Sequence, residues 1–225
     1  MKKHIPNAIT CCNLICGCVA AYFAFRGEYL IAYAAIVSGA VFDFFDGFAA
    51  RLLHVSSPIG KELDSLADVI TFGLAPSAIL FSLLESCGVS VYVSALAFLV
   101  AAFSALRLAK FNLDERQTQG FLGLPTPANA LFFASLASIL PASSLVESHP
   151  MEVFCALLLL IPLSCWLLVS EVPMFALKFK SFRFSDNKLR YGFIIFSAIV
   201  LVILNIAAFV AIIPAYIITS LIARK

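Results

Sequence analysis

A chain of 225 residues with 62% hydrophobic and 12% charged side chains is not a soluble globular domain, in which charged residues make up about 25% and apolar surface on this scale could not be covered. Its apolar runs are continuous rather than alternating, which excludes a membrane barrel. What is left is an all-α polytopic integral membrane helix bundle, and the net charge of +2 says less than where the charges fall.

A bilayer core near 30 Å calls for apolar spans of about 20 residues. The first is expected from Pro6 to Phe25. Lys2 and Lys3 before it resemble a signal peptide, but Asn7, Thr10 and Asn13 interrupt the run and no small-residue cleavage site follows, so an uncleaved span is expected. Arg26 to Glu28 makes a turn. The second span runs from Tyr29 to Leu53, His54 to Pro58 connects, and the third runs from Ile59 to Leu84. The fourth covers Val89 to Phe111, a polar loop Asn112 to Pro125, the fifth Pro127 to Val146 and the sixth Met151 to Val169. Glu171 to Arg190 is a connecting stretch in which Lys178, Lys180, Arg183, Lys188 and Arg190 alternate with aromatics, suited to a headgroup surface or to a solvated loop. Tyr191 to Ile222 is too long for one ordinary span, and Asn205 and Pro214 predict two short helices. The chain is expected to be a single domain over 1–225: six core spans within 5–170 and two extra ones at about 190–222. With both ends on the cytoplasmic side, Arg26 alone of the 15 Lys and Arg residues falls outside; a seven-span layout adds Arg224 and Lys225 to it, so the positive-inside rule favours eight.

The seven cysteines lack zinc spacing and a histidine cluster, and read as small packing residues. The acids are different. Asp43, Asp46, Asp64 and Asp68 fall within apolar stretches, where ionisable groups are costly and mark function. Asp43, Asp46, Gly47 and Ala50 share one helix face, and Gly60, Asp64 and Asp68 share the face of another. Carboxylates on two packed faces repel unless cations neutralise them, and all-oxygen ligands favour Mg²⁺, Mn²⁺ or Ca²⁺ over zinc or copper. Intramembrane acids also line cation transporters, but here they gather in one helix pair near the cytoplasmic end.

The run D-x2-D-G-x2-A-R-x8-G-x3-D-x3-D, from Asp43 to Asp68, resembles the signature of the CDP-alcohol phosphotransferases. The flanks Ile5-Pro6-Asn7, Thr10, Asn13-Leu14 and Gly17, then Phe72-Gly73, Arg107-Leu-Ala-Lys110-Phe111-Asn112 and Gly123-Leu-Pro125-Thr126-Pro127, are similar to bacterial and archaeal phosphatidylserine synthases over roughly 5–130. The resemblance implies transfer of a phosphatidyl group from CDP-diacylglycerol to L-serine with release of CMP. Other family members, which make phosphatidylglycerophosphate or phosphatidylinositol phosphate, are the alternative. It further implies two divalent ions, Mg²⁺ or Mn²⁺, held by Asp43, Asp46, Asp64 and Asp68, with Asp68 also the general base. For CDP-diacylglycerol it implies Asn7, Thr10, Gly47, Arg51 and Ser57. Gly47 gives the nucleotide access to the backbone, Arg51 suits phosphate, and Ala50 and Gly60 serve close packing. Asn7 could instead cap a helix, and Thr10 make an intrahelical contact.

Serine carries both charges, so its site needs a cation and acceptors. Arg107 and Lys110, one turn apart at the end of the fourth span, are the candidates, with Asn112 and Thr126 nearby; the alternative is a pair of interfacial anchors. Lys61 and Glu62 read as solvent-side charges. The expected partners are CDP-diacylglycerol, L-serine and the lipid bilayer, with a homodimer implied by the resemblance and no nucleic acid. The expected location is the inner (cytoplasmic) cell membrane, multi-pass, with the site facing the cytoplasm.

Overall fold

The computed structural model describes residues 4–55, 57–114, 121–175 and 187–222. Most of the basic alternation, including Lys178, Lys180 and Arg183, lies outside the described residues.

The described chain is an all-α membrane bundle. In order come α1 (His4–Phe25), α2 (Tyr29–Leu52), α3 (Pro58–Ser86), α4 (Val91–Leu113), α5 (Thr126–Ile139), α6 (Pro150–Val169), α7 (Lys188–Leu204) and α8 (Ala208–Ile222). Six continuous helical segments are long and apolar enough to cross a membrane, the last being Lys188–Ile222 taken as one; Thr126–Ile139 is shorter. That last segment turns back at Asn205, whose φ is +49°. Phe193 of α7 meets Tyr216 of α8 with ring centroids 5.8 Å apart, so the two form an antiparallel hairpin, as the polar Asn205 suggested. Helix α7 has no buried residue; Phe193 and Val200 pack toward α8, while Ile195, Val202 and Ile203 are exposed on the face a bilayer would cover.

The first turn follows from Gly27, at φ +74°. Its N–H donates to Ala24 O (3.0 Å), and that of Glu28 to Phe23 O (2.9 Å), the Schellman pattern that ends helices at a left-handed residue. Helix α3 is the central element, with 67% of its span buried. Ser57 caps it, accepting from the Gly60 N–H at 3.0 Å, and Pro58 takes the first helical position, where a missing N–H costs nothing. Further along, Pro76 has no N–H for Phe72 and its ring crowds that carbonyl. The helix widens there into a π turn over Val69–Leu74. Thr71, Phe72 and Gly73 of that turn are buried between α1, α2 and α4.

Two expectations are corrected. The fifth span ends at Ile139 rather than Val146, because Pro141 cannot donate to the helix; a 3₁₀ turn (Pro141–Ser143) and a single helical turn (Leu145–Ser148) follow. The loop expected from Asn112 to Pro125 starts later, since α4 runs to Leu113, and it contains β1 (Phe121–Leu122), which pairs antiparallel with β2 (Pro173–Met174).

Candidate active site

The α2 and α3 faces meet as the spacing required. Carboxylate oxygens of Asp43, Asp64 and Asp68 lie within 4.8 Å of one another. Oδ1 of Asp64 is buried with no hydrogen-bond partner among the described residues. Three carboxylates this close, one with an orphaned oxygen, form a donor set that fits a hard divalent cation. Asp46 is turned elsewhere: its Oδ2 lies 2.6 Å from Thr10 Oγ1. The Thr10 hydroxyl is also 3.0 Å from the Pro6 carbonyl oxygen, the intrahelical contact foreseen for it; the bond to Asp46 was not foreseen.

Asp46 and Asp64 line a cavity of about 260 Å³ together with Asn7, Thr10, Gly47 and Ser57. A Cβ on Gly47 would meet no atom of the described residues within 4 Å, and because the position lines the cavity a side chain there would occupy it. Gly60 is a packing glycine, since its Cβ would stand 3.0 Å from both Asn7 Oδ1 and Ser57 Oγ. Ala50 lines the cavity. Asn7 sits inside α1, which begins at His4, rather than capping it. Lys61 is in the first turn of α3 rather than in a loop; it lines this cavity and donates from Nζ to Asn112 O at 3.2 Å. Arg51 is exposed in the last turn of α2 and is not among the residues lining the cavity.

Arg107 and Lys110 line a second cavity of about 410 Å³, whose wall includes Asp114, Ser170 and Glu171. Arg107 is 7% exposed. Its guanidinium carbon lies 5.8 Å from the Phe111 ring centroid, and Nε has no partner among the described residues. Asp68 is within electrostatic range on the α3 side. The other two candidates are placed elsewhere. Asn112 donates from Nδ2 to Ser65 Oγ at 2.8 Å, joining α4 to α3. Thr126 is 1% exposed, its hydroxyl without a partner among the described residues; neither lines the cavity.

Sequence reasoning missed Asn13 as a site residue. It is fully buried and donates from Nδ2 to Asp68 Oδ1 at 3.3 Å. Its carbonyl oxygen accepts from Thr71 Oγ1 at 2.9 Å, so the π turn of α3 anchors α1 at the residue that touches Asp68. The pattern was available: Asn7, Thr10, Asn13 and Gly17 recur at helical spacing along one face of α1. The acids and Ser170 around Arg107 were also missed; they come from loop ends far apart in sequence.

The sequence profile of the CDP-alcohol phosphatidyltransferases matches residues 3–177. A Bacillus subtilis protein named CDP-diacylglycerol–serine O-phosphatidyltransferase is 39% identical over 126 residues, 56% of this chain and 70% of that protein. A Helicobacter pylori protein of the same name is 31% identical over 160 residues, 69% of this chain and 66% of its own length. One from Methanocaldococcus jannaschii, also so named, is 35% identical over 136 residues, covering 60% of this chain and 61% of its own. The match thus spans about two thirds of these relatives' length. With the profile covering most of the sequence and Asp46, Gly47, Ala50, Gly60 and Asp64 of the motif lining one cavity, the chain belongs to the CDP-alcohol phosphatidyltransferase family.

Proposed function

We propose that this protein transfers the phosphatidyl group of CDP-diacylglycerol to the hydroxyl of L-serine and releases CMP. The observation that carries the reading is the position of Asp68. It belongs to the carboxylate trio beside the Asn7–Thr10–Asp46 cavity, and it is also within electrostatic range of the buried Arg107. A nucleotide-activated phosphoryl group on one side and a small zwitterion on the other would meet there.

Asp43, Asp46, Asp64 and Asp68 would hold two divalent ions, Mg²⁺ or Mn²⁺. When bound, these would offset the charge of the diphosphate and of the transition state. Asn7, Thr10, Gly47, Arg51 and Ser57 are assigned to the CDP moiety, and Lys61 joins them as a cation at the cavity wall. Asp68 accepts the proton of the serine hydroxyl as the new O–P bond forms; the bond from phosphorus to the CMP oxygen breaks and CMP leaves. Asn13 holds Asp68 in place through the 3.3 Å hydrogen bond. Arg107 pairs the serine carboxylate, which needs a partner once it leaves water, and Lys110 adds charge at the mouth. Asn112 and Thr126 remain candidates at the edge of that site. The charge distribution supports a cytoplasmic-facing site in the inner membrane, the family resemblance supports a homodimer, and the whole chain is read as a single domain.

The test is CMP release from CDP-diacylglycerol with serine, glycerol 3-phosphate and inositol phosphate as acceptors. Serine alone is expected to support turnover; release with either phosphorylated alcohol instead rejects the acceptor assignment. In Arg107→Met the serine KM is expected to rise about 10- to 150-fold, the worth of a lost charge-assisted hydrogen bond, with CDP-diacylglycerol binding little changed. An unchanged serine KM with a lower membrane level of the protein makes Arg107 an anchor only.

A further inference from the structure

A third cavity lies between α5, α6 and α8, with a volume of about 330 Å³ and walls of apolar side chains such as Phe132, Leu163, Leu167 and Ile217. It opens sideways toward lipid: Leu163, Trp166 and Ile218 on its rim are 50%, 57% and 57% exposed. Two polar side chains, Asn129 and Ser164, interrupt the lining. Asn129 is 2% exposed. Its Oδ1 accepts from Ser164 Oγ at 2.8 Å, and its Nδ2 has no partner among the described residues. An unpaired amide donor at membrane depth is costly, so the position is suited to an acceptor supplied from outside the chain. Asn129 is in the first turn of α5, near the interface, where the acceptors that a bilayer offers are the ester carbonyls of its acyl chains.

This groove and the Arg107 cavity share a wall. Leu122 and Leu168 line the Arg107 cavity, while Leu124 and Leu167 line the groove. Between them Gly123, at φ +76°, brings the chain so close to α6 that a Cβ would stand 2.7 Å from Leu168 O. Each cavity therefore has one buried donor without a partner among the described residues: Arg107 Nε in one, Asn129 Nδ2 in the other. We propose that the two cavities form one site for a diacyl phospholipid with an anionic headgroup, namely the phosphatidylserine formed in the proposed reaction. The headgroup lies at Arg107 and Lys110, an ester carbonyl accepts from Asn129 Nδ2, and the chain below it fills the groove. The assignment rests on the serine reading above and gives the product a seat at the lipid-facing side of the bundle before it enters the bilayer.

The chain contains a single tryptophan, Trp166, and it lines the groove, so its fluorescence reports directly on occupancy. The purified full chain, in a non-quenching detergent, is titrated with phosphatidylserine carrying brominated acyl chains. Saturable quenching is expected, displaced by unbrominated phosphatidylserine and far less by phosphatidylcholine or CDP-diacylglycerol. Asn129→Leu, which removes the donor, is expected to weaken binding about 2- to 10-fold. Ile217→Phe, which fills the groove without touching Asn129, is expected to abolish saturation. Equal displacement by phosphatidylcholine overturns the proposal in favour of a general lipid groove, and equal displacement by CDP-diacylglycerol overturns it in favour of the donor. Unchanged titrations in both variants also overturn it. Serine-dependent CMP release, measured on the same wild-type preparation, separates the two readings. Normal release without saturable quenching removes the lipid site alone, whereas selective phosphatidylserine binding without such release supports the site and removes the acceptor reading alone.

Discussion

Asp68 is buried, hydrogen-bonded to Asn13 and set against Asp43 and Asp64, and its two assigned roles can be separated by one substitution. Asp68→Asn keeps the shape and removes the basic oxygen. Turnover is expected to fall at least about 10²- to 10⁴-fold, the usual cost of losing a general base, while CDP-diacylglycerol binding persists. Binding and turnover measured on one purified variant decide the matter: loss of both makes Asp68 chiefly a ligand, and near-normal turnover rejects both roles. Asn13 gives a second residue-scale expectation. Asn13→Leu leaves Asp68 without its donor, and kcat is expected to fall about 10-fold or more with little change in serine KM, consistent with loss of about 1.5–3 kcal/mol for a hydrogen bond to a charged group. A change confined to KM, or none at all, removes the positioning role. The four aspartates were legible because acids in apolar helices at steps of 3 and 4 have few explanations. The role of Asn13 was not, since its partner lies 55 residues away in sequence and only the packing of α1 on α3 brings them together.

Among the elements, the spans could be read from apolar run length and the α7–α8 hairpin from a polar residue in the middle of a long run. The π turn of α3 could not, although its cause, Pro76, stands in the sequence: a proline within an apolar run predicts a kink, a stop or a widened turn alike, and the neighbours decide. Here α1 and α2 decide. A Cβ on Gly17 would lie 2.5 Å from Thr71 Oγ1 and 2.7 Å from Thr71 Cα, and one on Gly39 2.5 Å from Thr71 Cγ2. The backbone leaves no room to yield at Gly17, and overpacking of this kind costs about 1–3 kcal/mol or more. Gly17→Leu is therefore expected to lower the thermal midpoint of the purified protein and to impair turnover, whereas Gly192→Leu, at a site where no atom of the described residues lies within 4 Å of a Cβ, is expected to change neither. Equal behaviour of the two variants would remove the case for close packing at Thr71. The β1–β2 ribbon was likewise invisible in the sequence, because two-residue strands carry no periodicity and this pair joins Phe121 to Met174 and Leu122 to Pro173, residues far apart in the chain.

For the molecule as a whole, the carboxylates on α2 and α3 make cation supply a matter of stability as well as chemistry. Removing divalent ions with EDTA is expected to abolish turnover, and Mg²⁺ or Mn²⁺ to restore it. A ligand that binds only the folded state at about 100 times its Kd adds about 2.7 kcal/mol, so the thermal midpoint is expected to climb with Mg²⁺ concentration in the wild type and to stay flat in Asp64→Asn. Full turnover in a metal-free preparation rejects the metal assignment outright. The contact of Gly17 and Gly39 on Thr71 also has a kinematic meaning. Three helices meet there with no side chain between two of the backbones, and the Asn13–Thr71 hydrogen bond pins the junction. Such a point tolerates rotation about itself but resists sliding. The helices that carry the carboxylates are thus held in axial register, and whatever opens for substrates has to open around that pivot. Spin-label distances across the α1–α3 contact should stay constant between the free and nucleotide-bound protein, with changes confined to the ends of the bundle.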